Sequence, residues 1–372
     1  MAENETYMRR AIELAWKGSG WTNPNPLVGA VIVKDGKIIG EGFHHKYGEL
    51  HAEREALKDC LARGNDPAGA EIFVTLEPCC HFGKQPPCCQ ALAEVGIKRV
   101  FVGSRDPNPL VHGQGNSFLR EKGIEVIEDF LRQECDALNP IFFHYITTKR
   151  PYVALKYAMT ADGKIATKTG ASKWITGEAA RAYVHQLRNR YAAILCGIGT
   201  VLADNPMLNC RMTGGNNPLR VICDSKLRIP LDCQLVKTAK EIPTIVACAE
   251  GLEASEGVAQ KISALKTAGL EILQLPLTSE GSLDLTALMQ ILGQLKIDSV
   301  LIEGGGEINY SALKAGIVNK IYAFIAPKLF GGGSAAKSPV SGEGIAAVEE
   351  AFLFKLTKIR QFEEDLLIEY EK

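Results

Sequence analysis

His51, Cys79 and Cys88 constrain this chain more than any other feature, because three ligands of one small cation must meet although long stretches of chain separate them. The sequence around each says how they can meet. His51-Ala52-Glu53 opens a run of good helix formers to Arg63, with Ala52, Ala56, Leu57, Cys60 and Leu61 available for one face. His51 and Glu53 are therefore expected in a first helical turn. Ile72-Phe73-Val74-Thr75-Leu76 reads as a short buried strand that ends at Glu77-Pro78-Cys79, so the first thiol is expected at a strand end. Pro86-Pro87 suits a helix start at Cys88, where a fixed φ and a missing N–H are tolerated. The flanking segments fit the same scheme. Met8, Ile12, Leu14, Ala15 and Trp16 suggest an amphipathic helix over 7–17, and Asn23-Pro24-Asn25-Pro26 is a turn. A hairpin is expected over 28–43, strands over 99–103 and 124–127, and a helix over 116–122. Strands alternating with helices predict a three-layer α/β domain.

The chemistry follows from the residue types. A neutral imidazole and two thiolates can hold a zinc ion with its fourth position open to a water, which the metal acidifies toward neutral pH. Glu53 is then a proton carrier and not a ligand. This is the His-x-Glu…Pro-Cys-x-x-Cys signature of zinc nucleobase deaminases, with one departure: eight residues separate Cys79 from Cys88. The insert from Cys80 to Gln85 is expected to form a loop over the pocket mouth, where His81 and Lys84 can hold an anion such as a phosphate. Free cysteines taken singly are more often buried structural thiols, the role expected of Cys80 and Cys89. Asn23 and Asn25 read equally as turn residues or as readers of a heterocycle edge.

At 372 residues the chain exceeds what one core usually serves, so two domains are expected. Asn139-Pro140 and Lys149-Arg150-Pro151 bracket the joint, and the domains are assigned to 1–147 and 148–372. Lys plus Arg (42) nearly equals Asp plus Glu (43), so no global field holds a polyanion, which argues against a nucleic-acid partner. Eleven cysteines without a short-spaced framework fit a reducing compartment. Met1 to Glu5 lacks the pattern of a signal peptide, and no apolar run is long enough to span a membrane, so a cytoplasmic protein is expected.

The second part opens on a strand-like Pro151 to Lys156. No Gly-x-Gly-x-x-Gly turn follows any strand there, so a Rossmann reading has little support. Val300-Leu301-Ile302 is instead followed by Glu303-Gly304-Gly305-Gly306-Glu307. These glycines let backbone approach a ligand closely, and the next helix start offers free N–H groups to a cofactor phosphate.

Several stretches together carry a resemblance along essentially the whole chain. They are the hairpin, the His-Ala-Glu helix, Thr75-Leu76-Glu77-Pro78-Cys79 with its wide cysteine spacing through Pro86-Pro87, and Asp106-Pro107-Asn108-Pro109. To these are added Lys156 to Gly163, Ser172 to Thr176, Leu187-Arg188, Gly199 to Pro206, Leu208 to Arg211, Asp224-Ser225 and the 303–307 turn. The chain resembles the bifunctional deaminase/reductases of riboflavin biosynthesis, departing at Cys80, where Ser is usual, and Gln85, where Thr is common. The resemblance implies a cytidine-deaminase-like α/β/α domain followed by a dihydrofolate-reductase-like α/β domain. It implies one zinc ion per chain on His51, Cys79 and Cys88, with Glu53 catalytic, and a pyrimidine nucleotide near Asn23, His44, His81 and Lys84. In the second domain it implies NADPH against Ala158, Trp174, Thr200, Asp204, Ser225, Gly305, Gly306 and Glu307. The substrate would lie on Lys156, Ser172, Arg188, Leu208, Arg211 and Glu303. The implied activity is deamination of a phosphoribosylaminopyrimidine, then reduction of its ribosyl group to ribityl, in a homo-oligomer. Two other readings stay open on the residues: a tRNA-adenosine-type deaminase with an appended domain, and a binding protein with structural zinc.

Overall fold

The computed structural model describes residues 2–80, 86–108, 111, 113–332 and 336–372. The chain folds as two units that part between Lys149 and Arg150. The first contains α1 (Ala2–Trp16), β1 (Gly29–Lys34), β2 (Lys37–Phe43), α2 (Ala52–Ala62), β3 (Glu71–Leu76) and α3 (Cys88–Glu94). It continues through β4 (Arg99–Ser104), α4 (Gln114–Glu121), β5 (Glu125–Ile127), α5 (Arg132–Asp136) and α6 (Pro140–Thr148).

Its five strands run in the order β2-β1-β3-β4-β5, with β1 antiparallel to β2 and β3, and β3, β4 and β5 parallel. Strand alternation sorts the core into two layers. Ala30, Ile32, Ile72, Val74, Val100 and Val102 face α2, α3 and α4 through Ala56, Leu92 and Leu119. Val31, Val33, Phe73 and Phe101 face α1 through Met8, Ala11 and Leu14. The unit is thus the expected three-layer sandwich. Two apolar residues expected on inward faces turn out instead: Trp16 is 40% exposed and Leu61 60% exposed. The inward face of α2 is Ala52, Ala56 and Cys60, small residues because the helix lies directly on glycine backbone of β2. A Cβ on Gly42 would collide with the Ala52 carbonyl and the Ala56 nitrogen.

The second unit comprises β6 (Tyr152–Thr160), α7 (Glu178–Arg190), β7 (Ala193–Gly197), α8 (Ile198–Asp204), β8 (Leu219–Cys223), α9 (Gln234–Lys237) and β9 (Thr244–Ala249). There follow α10 (Glu256–Thr267), β10 (Glu271–Leu275), α11 (Leu285–Gln294), β11 (Ser299–Ile302), α12 (Gly306–Lys314), β12 (Val318–Ala326), β13 (Lys355–Phe362) and β14 (Asp365–Glu371). The sheet order is β10-β9-β8-β7-β11-β6-β12-β14-β13, parallel from β10 to β12 and antiparallel over the last three strands. One face packs on α11 and α12 through Leu288, Leu292 and Ala312, and the other on α8, α9 and α10 through Val201, Leu235 and Leu265. Strand β6 pairs with β11 from Tyr152 as far as Leu155, opposite Ile302, so Lys156 and its successors run past the end of β11. The carboxyl ends of β7, β8 and β11 and this overhang of β6 surround a cavity of about 890 Å³. In open α/β sheets that is where ligands lie.

Candidate active sites

In the first unit the helix start, strand end and second helix start meet as the spacing demands. His51 is the N-cap of α2, Cys79 follows β3, and Cys88 is the first residue of α3 behind the N-cap Pro87. His51 Nδ1 lies 3.5 Å from Cys79 Sγ and 3.4 Å from Cys88 Sγ, and the three ligand atoms all fall within 4.8 Å of one another. A tetrahedral zinc with Zn–N of about 2.0 Å and Zn–S of about 2.3 Å needs ligand atoms about 3.5–3.8 Å apart, so the residues present fit that ion. Of the two thiols only Cys79 is held low, while the hydrogen bond between them and burial push Cys88 up. A hydrogen bond from Cys88, outweighing burial, holds Cys79 below the usual thiol range, and the imidazole of His51 adds to it. The backbone N–H of Cys88 also points at Cys79 Sγ, 3.4 Å away. Arg54 fastens the two helices by donating to the carbonyls of Pro86 and Pro87, both at 3.2 Å.

Glu53 is buried beside this cluster, and burial first, then the Cys79 charge, raises its carboxyl to about 7. His44 is buried edge-on to His51, ring centroids 5.4 Å apart. Its Nδ1 donates to the Leu50 carbonyl at 2.9 Å, which leaves Nε2 to accept from Asn25 Nδ2 at 3.1 Å. Burial lowers the His44 pKa, so the ring is a neutral group of fixed tautomer. Asn23 sits half-buried in the turn before β1, while His81 and Lys84 fall outside the described residues. Cys89 is buried in the core, and Cys80 approaches Gln114 Oε1 at 3.7 Å; neither belongs to the three-ligand cluster. Sequence reasoning passed over Glu77. Its carboxylate accepts from the backbone of Gly113 at 3.1 Å and Gly115 at 3.2 Å, and so holds the start of α4 against the end of β3. An acid directly before Pro-Cys was the available sign.

In the second unit Lys156, Ala158, Ser172, Thr200, Asp204 and Ser225 line the cavity. Glu303, Gly305, Gly306 and Glu307 complete the group of predicted residues that share it. Gly304 and Gly305 have φ of 121° and 78°, values that favour glycine, and they deliver the chain to the start of α12. A Cβ on Gly306 would strike Ser341 and the Ser338 carbonyl. Ser172 Oγ donates to Asp204 Oδ1 at 3.3 Å.

The remaining predicted residues do not line the cavity. Trp174 is 59% exposed and stacks on the Arg181 guanidinium at 4.6 Å. Leu208 packs into the core beneath α8. Arg188 grips Glu303 with both prongs of its fork, at 2.6 and 2.9 Å, and gives Nη1 to the Asn209 carbonyl at 3.0 Å. Lys156 Nζ approaches the same carboxylate at 3.5 Å. Burial alone would raise the Glu303 carboxyl, but the charges of Arg188 and Lys156 outweigh it and hold it at about 2. Burial lowers the Lys156 ammonium against the opposing pull of Glu303. Arg211 is exposed and lies against His185, a residue that sequence reasoning did not single out.

Comparison with known proteins bears on both sites. Residues 1–104 match the cytidine and deoxycytidylate deaminase zinc-binding region, and residues 151–368 match the RibD C-terminal domain. The riboflavin biosynthesis protein RibD of Actinobacillus pleuropneumoniae is 56% identical over 98% of this chain and 94% of its own length. That of Escherichia coli is 37% identical over 98% of each. The crystal structure of a diaminohydroxyphosphoribosylaminopyrimidine deaminase/5-amino-6-(5-phosphoribosylamino)uracil reductase from Thermotoga maritima superposes with a TM-score of 0.86, at 40% identity over 100% of this chain and 99% of that one. Acinetobacter baumannii RibD gives 0.85 at 35% identity with the same coverage. Related in sequence and fold along essentially its whole length, the chain belongs to the RibD family of bifunctional riboflavin-biosynthesis deaminase/reductases.

Proposed function

We propose that the first unit deaminates 2,5-diamino-6-(5-phosphoribosylamino)pyrimidin-4-one. The second then reduces the ribosyl group of the product with NADPH to give 5-amino-6-(5-phosphoribitylamino)uracil. The observation that carries the reading is the pairing, in one chain, of the His51–Cys79–Cys88 cluster beside buried Glu53 with a second cavity built on Lys156 and Glu303. One zinc ion per chain is assigned to that cluster, where His51, Cys79 and Cys88 would hold it and it would supply an acidified water for attack on the carbon that bears the amine. Glu53 carries the proton from that water to the departing ammonia. His44, a donor to Leu50 and an acceptor from Asn25, forms a fixed wall against which the pyrimidine is oriented. The loop residues His81 and Lys84 are assigned to the nucleotide.

In the second unit NADPH supplies the hydride. The N–H groups at the start of α12 would hold its diphosphate, next to glycines that let the chain approach closely. Ser225 and Arg228, both lining the cavity past β8, offer the hydroxyl and the cation that a 2′-phosphate requires, which favours NADPH over NADH. Glu303 stays ionised and accepts a hydroxyl of the sugar. Lys156, the ionisable donor beside it, protonates the opening sugar oxygen.

The homo-oligomer is assigned to β13, an edge strand on which Leu356 and Ile359 are each 57% exposed. Among the described residues no helix is long and apolar enough to cross a membrane, and all eleven cysteines are free thiols, which supports a cytoplasmic enzyme. The test of the whole reading is incubation with the diaminopyrimidine nucleotide, with and without NADPH. Ammonia should appear in both samples, and reduced-nicotinamide absorbance should fall in the sample that holds NADPH. No ammonia in either rejects it.

A further inference from the structure

The face of α7 that carries Arg188 also carries His185, one turn earlier and half-buried. Arg211 presents three donors to this ring. Its backbone N–H lies 3.2 Å from His185 Nδ1, its Nε 3.2 Å from Nε2 and its Nη2 3.1 Å from Nε2. A neutral imidazole has one lone pair to accept with and one N–H; an imidazolium has no lone pair. The ring is neutral at ordinary pH, because burial first, then the charges of Arg188 and Arg211, pull it down to about 4. Only one of its two nitrogens can therefore accept from Arg211.

The geometry decides which. The Arg211 backbone is held in place, since the Cys210 N–H donates to Asn217 Oδ1 at 2.9 Å and Cys210 Sγ donates to the His185 carbonyl at 3.4 Å. The Arg211 guanidinium, at the end of an exposed side chain, is free to turn. Nδ1 accordingly accepts the backbone N–H and Nε2 carries the ring proton, which faces the N–H groups of the guanidinium donor to donor. That arrangement lacks an acceptor. An oxyanion between the two would take a bond from each. Arg188 cannot serve in its place without leaving Glu303 and the Asn209 carbonyl.

We propose that His185 is a direct ligand of the sugar phosphomonoester of the reductase substrate, donating through Nε2–H beside the fork of Arg211. This rests on the reading that the second unit takes a phosphoribosylamino substrate. The His185 imidazole is then a binding group with its tautomer set by the backbone of Arg211, and the guanidinium swings to the phosphate once the anion arrives.

The test uses the full-length, zinc- and NADPH-competent protein with His185→Ala, His185→Gln, Arg211→Ala and the His185→Ala/Arg211→Ala double variant. Two quantities are read: KM and kcat for 5-amino-6-(5-phosphoribosylamino)uracil, and the thermal shift produced by ribose 5-phosphate against that produced by ribose. His185→Ala should raise KM about tenfold, leave kcat within about twofold and abolish the extra shift from the phosphate, while NADPH affinity stays unchanged. His185→Gln, whose Nε2 amide can donate from nearly the same place, should recover most of the loss, which a purely steric role would not predict. The double variant should be worse than Arg211→Ala alone. If His185→Gln and His185→Ala both behave like wild type while Arg211→Ala is impaired, the inference is overturned and the substrate reading stands. If the double variant equals Arg211→Ala, His185 acts only through Arg211, and the inference is overturned in the same way. If none of the variants changes either readout, the phosphate does not lie on this face and the inference is overturned while the substrate reading stands; only a wild-type protein that fails to turn over this substrate rejects that reading.

Discussion

Glu303 has 4% of its side chain exposed, yet it is held ionised by Arg188 and Lys156, so the candidate site of the second unit contains a buried charge cluster whose parts depend on one another. Removing Arg188 leaves a buried carboxylate short of its bidentate partner. Arg188→Ala should destabilise the second unit by about 3–5 kcal/mol in denaturant titration, and Arg188→Lys by less, because lysine keeps the charge and loses the fork. The pH dependence has a definite sign. A carboxyl whose folded-state pKa lies near 2, below its ordinary 4.5, contributes stability that is present above 4.5 and lost as pH falls toward 2. Wild-type stability should therefore fall over that window, and part of the slope should vanish in Glu303→Gln. The first unit offers a cleaner division of roles. Cys79→Ser or Cys88→Ser should remove zinc, read by metal analysis, together with ammonia release, whereas Cys80→Ser should keep both. Glu53→Gln should retain zinc and lose about 10²–10⁴-fold in deaminase rate, because an amide carries no proton.

Among the elements, α2 matters most, since it delivers His51 and Glu53 to the site and rests on the bare backbone of β2. Gly42→Val would push the Ala52 and Ala56 backbone away from the sheet. The expected result is weakened zinc retention under dialysis and lost ammonia release, with reduction of supplied deaminated substrate preserved. Full zinc occupancy in a folded Gly42→Val protein would show that the helix has slack the packing does not suggest. Much of this level was legible beforehand. The strand at 72–76 and the helix start at Cys88 appear within one residue of the expected places, because apolar runs and proline act locally. Leu61 was misread because a helical period cannot show how narrow a face becomes when its neighbour is glycine backbone.

At the scale of the whole molecule the chain is two units, each with its own core and its own cluster of ionisable groups. Chelation of zinc should consequently abolish ammonia release and leave NADPH oxidation with the deaminated substrate nearly intact; loss of both on chelation would show that the activities are coupled. Light scattering on Ile359→Lys tests the assigned role of β13, with a fall in molecular mass expected.

The sequence by itself determined which side chains gather in the His51–Cys79–Cys88 cluster, because the local signals around each residue place them at a helix start, a strand end and a second helix start. It determined the alternation of strands and helices for the same reason, as periodicity is a local property. Only the tertiary structure decided how the charged side chains of the second unit are shared out. Lone arginines in a sequence look alike. Arg188 turned out to be committed to a carboxylate 115 positions further on, while Arg211 faces an imidazole 26 positions earlier. Trp174, which the resemblance sets against the cofactor, has the Arg181 guanidinium over its ring. Charge pairing over such separations depends on which strands are neighbours in the sheet, and sheet order is set by the packing of the whole unit rather than by any stretch of it.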